Sequence, residues 1–354
     1  MHERTTGLFT ACFAACLAGF CVALAACDAE VPQADAAGIP ARLSVAGQLE
    51  EKDISEASGL AASRRNDELL WLHNDSGAKA RLYAASTDGK KRGRIKLEDA
   101  DNRDWEDMAS FVHDGRPYLL VADIGDNDTR HDFATLYVVE EPDLDDDDKP
   151  ELEPAWRIDF TYPDGPRDAE AVAVDAAGER VYVLSKRDVP AVLYSLPLLP
   201  PDDEEFVTAE RIGPVASLPQ PTNSDVEFAE ALNSWHWQPT GMDIARDGSA
   251  VAILTYAAVY YYPRRSGETI YASLRRPPLA FDIRNVRDAE SIAFGADSRT
   301  LFVSVEKKHA PLLRIDMAAA PEPAGVTVMT FNVENLFDNV DDAGKVDETY
   351  LSLD

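Results

Sequence analysis

The chain has 354 residues and carries 64 Asp plus Glu against 34 Lys plus Arg, a formal charge of −30. Binding nucleic acid through its phosphates needs a basic surface, so the bulk of this chain is a poor binder of DNA or RNA. Acidity of this degree fits cations or basic partners instead.

The first predicted element is a targeting segment. Arg4 and the free amine precede an uncharged apolar run at 8–26, the charged-then-apolar order of an export signal. Leu24, Ala25, Ala26 and Cys27 resemble the lipobox of bacterial lipoproteins. That resemblance implies a signal peptide at 1–26, removed on export, and an acylated Cys27 that tethers the chain to a membrane surface without spanning it. The competing reading is an uncleaved anchor, because about 20 apolar residues can cross a bilayer. The expected location is extracytoplasmic, on the periplasmic side or the cell surface. Asp28 occupies the place associated in enteric lipoproteins with inner-membrane retention. Cys12, Cys16 and Cys21 would leave with the signal and Cys27 would be blocked by lipid, which leaves the mature chain no disulfide and no thiol nucleophile.

After a polar leader at 27–40, a pattern recurs five times. Its first part is EASGLAAS from Glu56, DWEDMASF from Asp104, RDAEAVAVD from Arg167, QPTGMDIARD from Gln238 and RDAESIAFG from Arg287. A hydrophobic strand follows each, starting near Leu69, Tyr118, Arg180, Ala250 and Thr300, often across an Asp-Gly or Ala-Gly turn that marks a hairpin. Third strands start at Arg81, Thr135, Val192, Val259 and Leu312, and weaker fourth strands fall at 94–97, 156–160, 209–216 and 270–274. Four antiparallel strands repeated in this way predict an all-β chain folded as a β-propeller over 41–317, with five blades, or six if a long insertion hides a degenerate one. A β-sandwich would not account for five matched repeats. The fifth repeat lacks a fourth strand, and ARLSVAGQL at 41–49 is strand-like, so the start of the domain is expected to close the ring.

The equivalent first-strand positions are Ser58, Glu106, Glu170, Thr240 and Glu290, spaced by 48, 64, 70 and 50 residues. On the channel of a propeller they would form a polar ring able to hold a cation or to poise an acid and a base. The alternative is that they bond neighbouring blades and seal the channel. A second oxygen-rich set, Asp123, Asp126, Asn127 and Asp128, suits calcium but also suits tight Asx turns. The run DLDDDDKPELE at 143–153 reads as a solvated loop of like charges. The repeats resemble bacterial exported β-propellers, the phytase-like, NHL-like and YncE-like group. Many such propellers only bind, so the resemblance implies an extracytoplasmic binding or interaction module for an unknown ligand or protein, with hydrolysis on the propeller as a weaker alternative.

Past an Ala- and Pro-rich linker at 318–325, VTVMTFNVENLFDN resembles the first strand of the endonuclease/exonuclease/phosphatase superfamily. The resemblance implies a metal and phosphate role for Asn332, and magnesium or manganese as cofactor only if such a domain is complete. The family's remaining catalytic groups have no counterpart in 326–354, so a phosphoesterase is expected only of a longer product, with the propeller as its accessory domain. Whether the chain is an enzyme stays open at this level.

Overall fold

The computed structural model describes residues 41–144, 151–201, 205–223, 225–227, 235–284, 286 and 288–317. The signal segment, Cys27, the leader, the linker and the 326–354 segment with Asn332 lie outside the described residues. Among the described residues, no helix is long and apolar enough to cross a membrane.

The chain enters with β1 (Ala41–Gln48) and then lays down five sheets in sequence order. Blade 1 holds β2 (Ala57–Ala62), β3 (Leu69–Asn74), β4 (Arg81–Ser86) and β5 (Lys91–Leu97). Blade 2 holds β6 (Trp105–His113), β7 (Arg116–Asp123), β8 (Ala134–Glu140) and, after the short β9 (Glu151–Leu152), β10 (Trp156–Thr161). Blade 3 holds β11 (Ala169–Asp175), β12 (Arg180–Ser185), β13 (Val192–Pro197) and, after β14 (Val207–Thr208), β15 (Glu210–Pro214). Blade 4 holds β16 (Pro239–Ile244), β17 (Ala250–Thr255), β18 (Ala258–Pro263) and β19 (Leu279–Asp282). Blade 5 holds β20 (Ala289–Phe294), β21 (Thr300–Val305) and β22 (Pro311–Met317), and its fourth strand is β1, antiparallel to β22 from Ala41 opposite Met317 to Gln48 opposite Pro311. The protein is a five-bladed β-propeller, closed by the beginning of its own domain.

The inner strands β2, β6, β11, β16 and β20 neighbour one another around the ring. They are buried along both faces, and alanines recur in them because blades crowd near the axis: Ala57, Ala61, Ala109, Ala171, Ala173 and Ala293 are all buried. The outer β5 instead alternates between exposed and buried residues, as a strand wetted on one face should. The core lies between blades: one cluster joins blades 1 and 2, another blades 2 and 3, a third blades 3 and 4, and a fourth ties blades 4, 5 and 1 across the closure. On the rim opposite the site described below, the buried Glu141 at the end of β8 accepts from Trp71 Nε1 at 3.0 Å and from the Arg64 N–H at 2.8 Å, which clamps blade 2 to blade 1.

Three of the outer edges, those of blades 1, 2 and 5, are covered by the following blade. The parallel pairs β5 with β9 and β10 with β14 place a piece of the following blade against the preceding one. At the closure, the β4–β5 turn plays this part: the Glu50 N–H donates to Gly89 O at 3.0 Å. An edge covered this way cannot template further pairing.

One predicted fourth strand is corrected. Residues Ile270–Leu274 form a short helix, α1, capped by Thr269, whose side chain accepts from the Ala272 N–H. Its buried residues Ile270, Ser273 and Leu274 follow helical spacing, and Pro277 and Pro278 then return the chain to an extended path into β19.

The closure generates a test. A Cβ on Gly47 would lie 1.9 Å from the backbone oxygen of Asp88, so β1 and the β4–β5 turn approach more closely than a side chain allows. Gly47→Ala is expected to cost about 1–3 kcal/mol, as overpacking against backbone does. Thermal unfolding reads this as a drop of several degrees, and an unchanged Tm would show that the turn does not press on β1.

Candidate functional site at the channel mouth

Every inner strand begins with the same defect. Pairing with the second strand shifts register between Ala57 and Gly59, Trp105 and Asp107, Ala169 and Ala171, Pro239 and Gly241, and Ala289 and Ser291. The residues left over are Ser58, Glu106, Glu170, Thr240 and Glu290, the five positions aligned from the repeat. A bulge re-aims its extra side chain, which is how four of these residues on different strands come to line one cavity.

Four of them, Ser58, Glu106, Glu170 and Glu290, line a cavity of about 150 Å³ with Asp75, Asn127, Lys186, Tyr256 and Glu306. Thr240 is buried and donates to Ala289 O of the next blade at 3.0 Å, and Ser58 Oγ likewise donates to Glu106 O at 2.6 Å. These two hydroxyls stitch blades, while the three carboxylates face the cavity.

The other lining residues come from a second aligned position. Asp75, Lys186, Tyr256 and Glu306 each stand immediately after the second strand of their blade, following β3, β12, β17 and β21. In blade 2 that role passes to Asn127, three residues further along the loop after Ile124. The alignment of second strands could have revealed this set, since LHND, LSK, LTY and SVE all end on it.

The electrostatics are uneven. Glu170 forms a close ion pair with Lys186, whose Nζ also lies 5.7 Å from the centre of the Tyr256 ring. Asp168 accepts the Asp126 N–H at 3.0 Å and pairs with Arg187 at 2.6 Å. No ion pair is formed by Asp75, Asp104 or Glu106 among the described residues, although these three offer oxygens all within 4.8 Å of one another. Burial, reinforced by Asp75 and Asp168, pushes Asp104 up to about 6. Burial and the Asp75 and Asp104 charges hold Glu106 well above the usual carboxylate range. Glu290, also raised mainly by burial and hydrogen-bonded to Tyr256, is pushed up to about 8. A second group, Glu106, Asp168 and Glu170, shares Glu106. The acidic clusters can bind a metal, and their donors are all oxygen.

The loop residues expected to favour calcium go elsewhere. Asp123 accepts the Asp104 N–H at 2.9 Å, and Asp126 accepts the N–H groups of Arg130 and His131 at 2.7 and 2.9 Å. Asp128 is exposed and pairs with Arg130 at 3.2 Å. Asp126 shapes the turn, Asp123 ties the loop to the start of the inner strand, and only Asn127 of that set reaches the cavity, where its side-chain oxygen accepts from Arg187.

Below the cavity, the buried Asp107 accepts N–H groups from Met108, Val172 and Met242 at 2.8, 2.9 and 3.2 Å, joining blades 2, 3 and 4. Asp243 repeats the device, accepting from Ile244 at 2.8 Å and from Phe294 of blade 5 at 2.7 Å.

A scan of protein-family profiles and a search of curated proteins found no match. Solved structures similar to this chain include a gluconolactonase from Xanthomonas campestris, at 13% identity and a TM-score of 0.40, covering 81% of this chain and 93% of that one. Another is a luciferin-regenerating enzyme, at 10% identity and a TM-score of 0.39, covering 77% of this chain and 98% of that one. Likeness this distant leaves the site to its own geometry.

The raised Glu290 makes stability depend on pH with a definite sign. Below its ordinary value of 4.5 the carboxyl is protonated in both folded and unfolded chains. Between 4.5 and about 8 the folded chain keeps a proton that the unfolded chain has released, so this residue lowers stability as pH rises, and above about 8 its contribution is constant. Glu290→Gln should therefore raise Tm by several degrees at pH 9 and leave it unchanged near pH 4. Melting curves across that range decide the matter, and equal shifts at both ends would rule out a buried acid.

Proposed function

We propose that the chain is an extracytoplasmic binding module, tethered through Cys27, whose channel mouth takes a hard divalent cation, calcium being the best match. One observation carries the cation reading: Asp75, Asp104 and Glu106 converge within 4.8 Å without an ion-pair partner. Crowding like charges this way costs stability unless protons or a cation neutralise them. Carboxylate oxygens are donors that calcium prefers, and Glu290 and Glu306 on the same cavity extend the set. Sulfur and imidazole ligands do not line the cavity, which disfavours softer metals. The formal charge of −30 would draw any cation inward.

Because the carboxylates hold protons, binding should release them and strengthen as pH rises from about 6 to 8. Calorimetry of the full chain with calcium, in buffers of different ionisation heat, should show uptake with proton release. Glu106→Gln should weaken binding at least about 10-fold, since the two carboxylate groups share that residue. If neither calcium nor chelator changes the heat signal or Tm at pH 8, the cation reading fails.

The tether rests on the sequence of the first 27 residues. Cys27→Ser should move the protein from the membrane fraction to the soluble fraction of the cells that make it. If the variant remains in the membrane fraction, the apolar segment is an anchor in its own right.

Acid-base chemistry is the second reading, favoured by the contrast between Glu170, held by Lys186, and the raised Glu290 about one cavity. An ion-paired carboxylate and a raised carboxyl on one cavity can serve as base and acid in one hydrolytic step.

A further inference from the structure

A second cavity lies on the same rim, between blades 2 and 3, and the channel carboxylates take no part in it. It measures about 50 Å³ and is lined by residues that include Arg103, Asp126, His131, Phe133, Tyr162 and Arg167. Three of these residues carry a buried polar atom without a hydrogen-bond partner: Arg103 Nε, Tyr162 Oη and Arg167 Nε. Unpaired buried polar groups are costly, and three at one small cavity are a strong sign of a missing partner.

All three are donors. Arg167 uses Nη1 on Asp188 at 2.8 Å and Nη2 on Asp164 at 2.9 Å, its guanidinium lies over the Tyr162 and Tyr194 rings, and its Nε is the nitrogen without a partner. Arg103 Nε lies 3.5 Å from Asp123 Oδ1, paired in charge but outside hydrogen-bond geometry. Tyr162 is only 8% exposed, and burial raises its pKa, so the hydroxyl keeps its proton. Of the acids nearby, Asp123 balances the charge of Arg103 without a hydrogen bond to its Nε. Asp126 is consumed by two backbone N–H groups, and Asp132 is exposed at the cavity's edge.

The cavity has room for a small acceptor head and little else, given that a water takes about 30 Å³ in the liquid. The body of a larger ligand would lie outside, where the structure provides an apolar shelf. Phe133 lines the cavity and meets Phe206 edge to face at 5.1 Å, and Phe206 is 41% exposed. Arg103 covers the Phe133 ring at 5.6 Å, so shelf and donor are contiguous.

We propose that this cavity is a carboxylate subsite for an amphipathic organic acid: the Nε–H groups of Arg103 and Arg167 and the Tyr162 hydroxyl hold the head, and Phe133 and Phe206 support an apolar or aromatic body. Fluorine NMR of the full chain tests it, with para-fluorophenylacetate as probe and para-fluorobenzyl alcohol as its neutral twin. Chelator is present throughout, so the result is independent of calcium. The acid should broaden saturably and the alcohol should not. Tyr162→Phe should weaken the acid about 10-fold, the scale of a hydrogen bond to a charged group, while Tm stays the same or rises because the lost hydroxyl had no partner. Arg103→Gln should weaken it too. Equal broadening by acid and alcohol, no saturable signal from the acid, or wild-type affinity in Tyr162→Phe would each overturn the proposal and leave the cavity to ordered water.

Discussion

The ring must close, and the site depends on that constraint. Five sheets, each with a crowded inner strand, form one body only because β1 leaves the start of the domain to serve as the last strand of blade 5. Closure fixes the angle between neighbouring blades, and that angle makes the inner strands converge. Gly47, set against the backbone of Asp88, shows how tightly the seam is drawn, since the two segments meet without a side chain between them. An open arc of the same blades would leave the outer edge of β22 unpaired and would spread the carboxylates now gathered at the channel mouth.

Convergence creates an electrostatic problem that the protein solves in two layers. In the deeper layer, Asp107 and Asp243 hand their oxygens to backbone N–H groups of neighbouring blades and so link the blades mechanically, although burial still raises both carboxyls. In the upper layer, the bulge residues have no spare amides. Glu170 is met by Lys186, whereas Glu106 and Glu290 remain raised. A fold that needed only to seal its channel could have continued the pattern of Ser58 and Thr240, whose hydroxyls bond the next blade's carbonyl without burying a charge. Retaining acids at the other three positions costs stability, and strained or raised groups kept at such cost are where function tends to be found.

Much of the fold was legible because the repeat speaks through strand period and turn chemistry, both of which survive in a single chain. RDAEAVAVD and RDAESIAFG differ in their blades yet place the same glutamate on the same bulge. The closing role of 41–49 followed from counting strands. Residues Ile270–Leu274 were misread as a strand because a five-residue apolar segment fits either period, and its helical nature lies in the cap at Thr269 and the spacing of Ile270, Ser273 and Leu274. At the site, the first-strand residues were visible by alignment, but the second-strand partners are chemically unlike one another. Asp75 and Glu306 are acids, Lys186 a cation and Tyr256 a phenol, and alignment by character overlooks so mixed a set.

The oxygen-rich loop after β7 shows why composition alone misleads. Its aspartates look like ligands, yet Asp123 and Asp126 are committed to backbone amides that hold the loop in shape. That shape has a use of its own. Gly125 and Asp126 form a wall of the cavity between blades 2 and 3, while Asn127, the next residue, faces the channel mouth. A Cβ on Gly125 would fall 2.2 Å from Glu106 Oε1 and 2.4 Å from Asp104 Oδ2, so the loop lies directly against the carboxylate trio. The absence of a side chain at Gly125 lets the two cavities share a single thickness of backbone.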